Sequence, residues 1–297
     1  MNKKIRGTLF IIFGCISWGF SGACGQFLFD EKDFSPLLLT AIRMIFAGLM
    51  LISICFFKEK DKLKQIVKEP KDILRITMFG LAGVAFSQVS YLLSIKYTNA
   101  GIATALQCTS PVMIMLYVCL VSKKLPKISE AISVVAAVVG AFAISTGLQF
   151  DGMSIHPLGL FWGIMCGVSM LIYTVMPQKM LAKWGSMLVS GFGMLCGGIV
   201  YSILIQAWSI PAQYDLSTVA AVASMVVFGT VIAYTAYLQG VNDVGPLAAS
   251  VLGSAEPVAA TVFAAIWLGT SFNFGEIAGL ILIISTVFIL AWGDREK

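Results

Sequence analysis

Ten stretches of nearly unbroken apolar sequence run along this chain, near residues 7–28, 36–57, 73–95, 99–121, 128–148, 157–177, 185–207, 217–240, 245–268 and 275–292. Each is close to the roughly 20 residues a helix needs to cross a bilayer core. Lipid offers no partner for free backbone groups, so each stretch is expected to be a helix. Alternating ten-residue segments, the mark of an outer-membrane barrel, are not the pattern here. The segments between the stretches are short, except the polar, Lys-rich run from Lys58 to Asp72, which reads as a loop.

Composition agrees with lipid as the main solvent. Hydrophobic residues make up 58% of the 297 and charged residues only 12%. A soluble domain carries about a quarter charged residues. The run after Lys3, Lys4 and Arg6 lacks a good cleavage site, so it is read as a retained span.

The positions of the charges say more than their sum. With the N-terminus inside, seventeen of the twenty Lys and Arg fall in inside segments, and only Lys32 and Lys96 fall outside. That asymmetry predicts a multi-pass protein of the cell membrane with both termini cytoplasmic. Arg43 lies two turns into the second span and is expected to snorkel toward the outer interface rather than pair with an acid. No basic surface with interleaved aromatics appears, which argues against nucleic acid as a partner. The seven cysteines lie in apolar runs without CxxC spacing, so neither a metal site nor a disulfide framework is indicated, and no cofactor is expected.

The two halves repeat. At a shift of 146 residues, Gly83 falls on Gly229, Tyr91-Leu92 on Tyr237-Leu238, Pro111-Val112 on Pro257-Val258 and Glu130 on Glu276. At a shift of 152, Gly7 falls on Gly159, Ser17 on Ser169 and Gln26 on Gln178. Five spans per copy is an odd number, so the second copy enters from the opposite side. The reading is an all-α membrane protein of ten transmembrane helices in two inverted five-helix repeats, residues 1–150 and 151–297. This plan recurs in transporters, with the solute site between the halves.

Residues that break the lipid rule mark the candidate site. Pro111 and Pro257 are the two prolines deep inside spans, at equivalent repeat positions. Each removes a backbone donor and kinks its helix. The carbonyls of Gln107 and Gly253 are expected to lose a helical partner. Glu256 is the one carboxylate in mid-span, and it reads equally as a coupling acid or a packing acid. Beside it, Ser250, Ser254, Pro257 and Thr261 form a polar stripe expected to face a cavity. Trp18, Gln88, Tyr91, Gln107, Ser110, Trp162, Tyr173, Tyr234, Tyr237 and Ser254 are the candidate cavity residues, aromatic and neutral-polar groups suited to a small amphiphilic solute. Trp162 could equally be an interfacial anchor. Glycines four apart, such as Gly159, Gly163 and Gly167, read as helix-packing positions.

Ser17-Trp18-Gly19, Arg43, Ala100-Gly101-Ile102-Ala103 leading to Ser110-Pro111-Val112, and Pro246-Leu247-Ala248-Ala249-Ser250 leading to Ala255-Glu256-Pro257-Val258 carry a resemblance over essentially the whole chain. The chain resembles the drug/metabolite transporter superfamily, in particular its EamA-type ten-span members. The resemblance implies a five-plus-five inverted repeat, a central cavity lined mainly by spans one, three, four, six, eight and nine, and a metabolite as substrate. It departs from the family after spans four and nine, where many members carry Gly-Glu and this chain reads Ser122-Lys123 and Gly269-Thr270. The candidate cavity lacks clustered Lys or Arg, which disfavours phosphorylated solutes. The expected function is secondary transport, in the export direction, of a small neutral or zwitterionic metabolite such as an amino acid. An intramembrane enzyme is the lesser reading, because no nucleophile–base pair or HExxH is present and the one histidine, His156, sits in a loop. A non-transporting receptor or assembly subunit is the other alternative.

Overall fold

In the computed structural model, residues 3–98, 100–148, 156–259, 262 and 273–293 are described. These are overwhelmingly helical, with no strand among them. The chain opens with α1 (Lys3–Asp30) and α2 (Pro36–Lys58), followed by the short α3 (Lys60–Val67). Next come α4 (Pro70–Phe79) and α5 (Phe86–Tyr97), which a π-helical turn at Gly80–Ala85 joins into one rod. The broken pair α6 (Ala100–Gln107) and α7 (Ser110–Ser122) precedes α8 (Ile128–Thr146). In the second half, α9 (Pro157–Val175) and α10 (Gln178–Trp184) lead to α11 (Ser186–Leu204). A second π-helical turn, Val227–Ile232, joins α12 (Leu216–Val226) to α13 (Ala233–Val244). The last described helices are α14 (Pro246–Gly253) and α15 (Phe274–Gly293).

Seven of these rods are long and apolar enough to cross a membrane: Lys3–Asp30, Pro36–Lys58, Pro70–Tyr97, Ile102–Ser122, Pro157–Trp184, Ser186–Leu204 and Leu216–Val244. Two shorter apolar helices lie at Ile128–Ile144 and Ile277–Thr286. The expected ninth span, 245–268, lies largely outside the described residues beyond Ala259, and with it Thr261 of the expected polar stripe. The Lys58–Asp72 run is not a plain loop. It contains α3, whose Ile66 is fully buried while its lysines remain exposed, a short amphipathic segment whose apolar edge holds it to the bundle.

Local chemistry sets the helix ends. The Ser35 hydroxyl accepts from the Leu38 amide ahead of Pro36, and Asp215 accepts from the Thr218 amide at 2.7 Å. His156 Nδ1 accepts from the Leu158 amide at the start of α9. Between α13 and α14 the chain turns at a single residue, Gly245, with φ +88°, before Pro246 restarts the helix. That left-handed value favours glycine.

The helices pack in long-range pairs: α1 on α13, α2 on α11, α5 on α9, α7 on α14 and α8 on α15. Close approach rests on missing side chains. A Cβ on Gly80 would overlap the Gly193 carbonyl, and one on Gly197 would sit 2.8 Å from the Gly80 carbonyl carbon. Gly279 faces the Gly140 carbonyl in the same way, and Gly163 and Gly167 face Leu106 and Thr109. Outward faces carry Phe13 and Ile16 on α1, Phe46 on α2, Val139 on α8 and Phe288 on α15, all exposed. Such faces suit lipid contact. The core continues through α1, α2, α5, α9, α11 and α13.

The two ends of the bundle are tied by ions. At the start of α1, Arg6 holds Asp243 through two 2.8 Å bonds, and Gln239 adds a third at 3.1 Å. Asp72 there receives Lys183 at 2.7 Å and the Trp184 indole at 3.0 Å. At the far end of α1, about 42 Å away by helix rise, Lys32 lies 2.6 Å from Asp215 and Lys96 lies 3.5 Å from Asp33. The Lys32 bond and the Thr218 donors hold the Asp215 carboxyl well below the usual carboxylate range.

Candidate functional site

The fourth span breaks between Gln107 and Ser110, just before Pro111. A second break falls at Ser254, between α14 and the helical turn that carries Pro257. These are equivalent positions at the 146-residue shift. The broken ends face a small cavity of about 10 Å³. That is room for roughly one water, so the bundle is described here in a contracted state. Gln107, Cys108 and Ser110 line one side, and Ser250, Gly253, Ser254 and Glu256 the other. Trp18, Met170 and Tyr237 close it.

Glu256 is the chemical centre. It is 3% exposed. Gln107 Nε2 donates to its Oε2 at 3.0 Å, and Cys166 donates to Gln107 Oε1 at 3.2 Å. Tyr91 also faces the carboxyl, while its hydroxyl shares a 3.0 Å bond with Thr104. The Gly253 carbonyl, freed by Pro257, accepts from Cys15 Sγ at 3.4 Å. Glu256 thus both ties to a neighbouring helix and lines the cavity.

Aromatic rings wall the site. Trp18 meets Tyr234 edge-on at 5.2 Å between centroids and Tyr237 at 5.0 Å. Tyr173 stacks on Tyr237 at 5.9 Å, crosses Tyr234 at 5.3 Å and stacks on Phe79 at 5.7 Å. Thr174 shares a 3.4 Å bond with the Tyr237 hydroxyl.

Arg43 corrects an expectation. It does not snorkel: it is 3% exposed and turned inward. Its Nε donates to Thr230 Oγ1 at 2.9 Å and a terminal nitrogen donates to the Gly229 carbonyl at 3.0 Å. The π-helical turn explains the partner. An inserted residue disrupts the regular ladder and leaves carbonyls to be met by side chains. Thr230 meets Met225 O at 2.9 Å, and Arg43 meets Gly229 O.

Of the expected cavity residues, Trp18, Gln107, Ser110, Tyr237 and Ser254 come together at the cavity, where Glu256, expected as a coupling or packing acid, joins them, and Tyr173 and Tyr234 stand behind the cavity in the ring cluster. Tyr91 reaches it through Thr104 and Glu256. Gln88 is buried one turn before Tyr91 on the same helix face, with neither amide atom bonded. Trp162 is elsewhere: it is partly exposed against Phe161 near the start of α9 and does not line the cavity. Pro111 and Pro257 are both buried beside the breaks. Met170 was missing from the expected set because a methionine reads as core. The 152-residue shift could have found it, since it carries Trp18 onto Met170.

Residues 5–146 and 157–292 each match the EamA-like transporter family. The chain belongs to that family. It is similar to an uncharacterized inner membrane transporter, YicL, of Salmonella typhimurium, at 31% identity over the whole chain and 99% of that protein. It is also similar to the uncharacterized transporter YetK of Bacillus subtilis, at 25% identity over 86% of this chain and 78% of that one. In fold it resembles a protein crystal structure with a TM-score of 0.78, at 18% identity and 99% coverage of both chains. With its apolar rods, membership makes this a multi-pass membrane transporter of a small-molecule substrate. In an EamA-like transporter, a contracted cavity between two broken helices is where a solute site is sought.

Proposed function

We propose that this protein is a secondary transporter that exports a small neutral or zwitterionic metabolite, such as an amino acid, by alternating access. The observation that carries the reading is the Gln107–Glu256 bond, made between two broken helices across a cavity too small for a metabolite. Transport requires that contact to part. The aromatic wall suits an apolar body, and the neutral donors and Glu256 suit polar ends.

The proposed architecture is ten spans in inverted repeats, 1–150 and 151–297. Two features support it. Exchanging each helix for its counterpart turns the α1–α13 pair into the α9–α5 pair and maps the α2–α11 and α8–α15 pairs onto themselves. The two π-helical turns also fall within one residue of equivalence at the 146-residue shift. On this reading the Arg6–Asp243 and Asp72–Lys183 contacts lie at the cytoplasmic end, where both termini lie, and Lys32–Asp215 lies at the outer end. Each of these three pairs joins one half to the other, as gates must.

The test is flux in proteoliposomes with a panel of amino acids and related metabolites. Saturable movement of at least one member above empty vesicles is expected. If none moves and none binds, the substrate class is wrong.

A further inference from the structure

Two charged side chains are buried deep in the described bundle away from its ends, Arg43 and Glu256. Neither forms an ion pair among the described residues. Arg43 has five N–H donors, and its two described bonds go to neutral oxygens, Thr230 Oγ1 and Gly229 O. A guanidinium out of water with no counter-ion is costly. A neutral donor could join α2 to the π-helical turn without burying a charge, so the charge itself calls for a partner.

Gln88 adds an independent observation. It is 2% exposed, and both its Nε2 and its Oε1 lack any partner. Each orphaned polar atom is costly to bury, because it gives up its water without a replacement partner. Its place on α5 is defined by its neighbours: Tyr91 and Leu92, at i+3 and i+4, face Gly22 and Gly25 of α1. Ser21, next along α1, lies against Gly229, where the Arg43 guanidinium ends. Gln88 and Arg43 therefore border one stretch of α1, with Tyr91 and Tyr234 nearby.

We infer that Arg43 and Gln88 form the subsite for a carboxylate of the transported solute, on the far side of Tyr91 from Glu256. The guanidinium fork matches a carboxylate bidentately, and the Gln88 amide N–H supplies a further donor. A solute with both a carboxylate and an ammonium would then meet Arg43 with one end and Glu256 with the other. This rests on the transport reading above and narrows it, because neutral solutes without a carboxylate would be poor substrates.

The test crosses residue with ligand. A labelled amino acid that moves in proteoliposomes is compared with its own primary amide as a competitor, which keeps the ammonium and lacks the carboxylate. Arg43→Gln should weaken the parent roughly ten- to hundredfold and leave the inhibition constant of the amide unchanged, with Arg43→Lys intermediate. Gln88→Leu covers the case in which Arg43 variants fail to fold. It should weaken the parent and not the amide, while raising the melting temperature of the solute-free protein by removing an orphaned amide. Equal weakening of parent and amide makes Arg43 a structural tie and overturns the inference, as does no weakening of either. If no amino acid moves at all, the amino-acid substrate class falls and this subsite falls with it.

Discussion

Gln107 Nε2 donates a 3.0 Å hydrogen bond to Glu256 Oε2 across 149 residues of sequence, from one broken helix to the other. The amide is held in one orientation, because its oxygen accepts from Cys166. Leaving a buried hydrogen-bonding group without its partner costs about 1–3 kcal/mol. Gln107→Leu removes the bond and leaves the buried carboxyl without its amide donor. A lower melting temperature in detergent and at least a tenfold loss of flux are expected. An unchanged melting temperature and flux would mean that the bond ties nothing.

Glu256 is expected to couple movement of solute to a proton. Among the described residues it is the one acid lining the cavity, enclosed with neutral partners and the thiols of Cys15, Cys108 and Cys166 around it. Glu256→Gln keeps the size and a hydrogen-bonding side chain but cannot release a proton. Accumulation driven by a pH gradient should vanish, while exchange of labelled for unlabelled solute persists. Accumulation equal to that of the unaltered protein would leave Glu256 a packing acid.

The sequence made the site's skeleton legible because its signals are backbone signals. Pro111 and Pro257 cannot donate, so the breaks at Gln107–Ser110 and at Ser254 follow from residue type alone. The apolar runs likewise follow from the absence of water. Side-chain direction was less legible. Arg43 snorkels or turns inward depending on whether a neighbour offers an acceptor, and that acceptor is a carbonyl displaced by a π-helical turn 186 residues away. No residue pattern announces such a turn. Trp18 and Trp162 are both aromatic residues of long apolar runs, yet Trp18 sits mid-helix and lines the cavity while Trp162 lies near the start of α9 and does not, a difference of depth and helix rotation that residue type does not show. The amphipathic α3 was hidden by its lysines, whose number reads as loop.

The α4–α11 crossing is expected to be intolerant of any side chain at Gly80. Its Cβ would overlap the Gly193 carbonyl, a backbone atom that no rotamer change can move. Overpacking of this kind costs about 1–3 kcal/mol. Gly80→Ala should lower the melting temperature in detergent, and Gly80→Leu should lower it further. Gly185, where an added Cβ meets nothing within 4 Å, tests the contrast: its φ of +82° with ψ 164° makes any loss there one of backbone conformation, and because that region suits glycine alone, Gly185→Asn should lose about as much as Gly185→Ala.

The Arg6–Asp243 pair should act as a latch at the end of the bundle where α1 begins. Asp243 is fully enclosed, and both its oxygens take an Arg6 nitrogen at 2.8 Å, so the pair is geometrically fixed rather than a loose surface contact. It joins α1 to the end of α13, and Gln239 extends the contact to Ser186 on α11. Opening that end must break it. Arg6→Gln removes the charge and should shift the protein toward states open at that end. Cys108 reports this directly, since it lines the cavity and is 5% exposed in the contracted state. A membrane-impermeant thiol reagent applied from the side of the α1 start should label Cys108 faster in Arg6→Gln than in the unaltered protein, with the modified peptide located by mass spectrometry. From the opposite side the rate should fall. Exchanging the charges, Arg6→Asp with Asp243→Arg, should return labelling toward its original rate if the pair itself is the latch. Faster labelling from both sides would instead point to general loosening of the bundle, and the latch would be wrong.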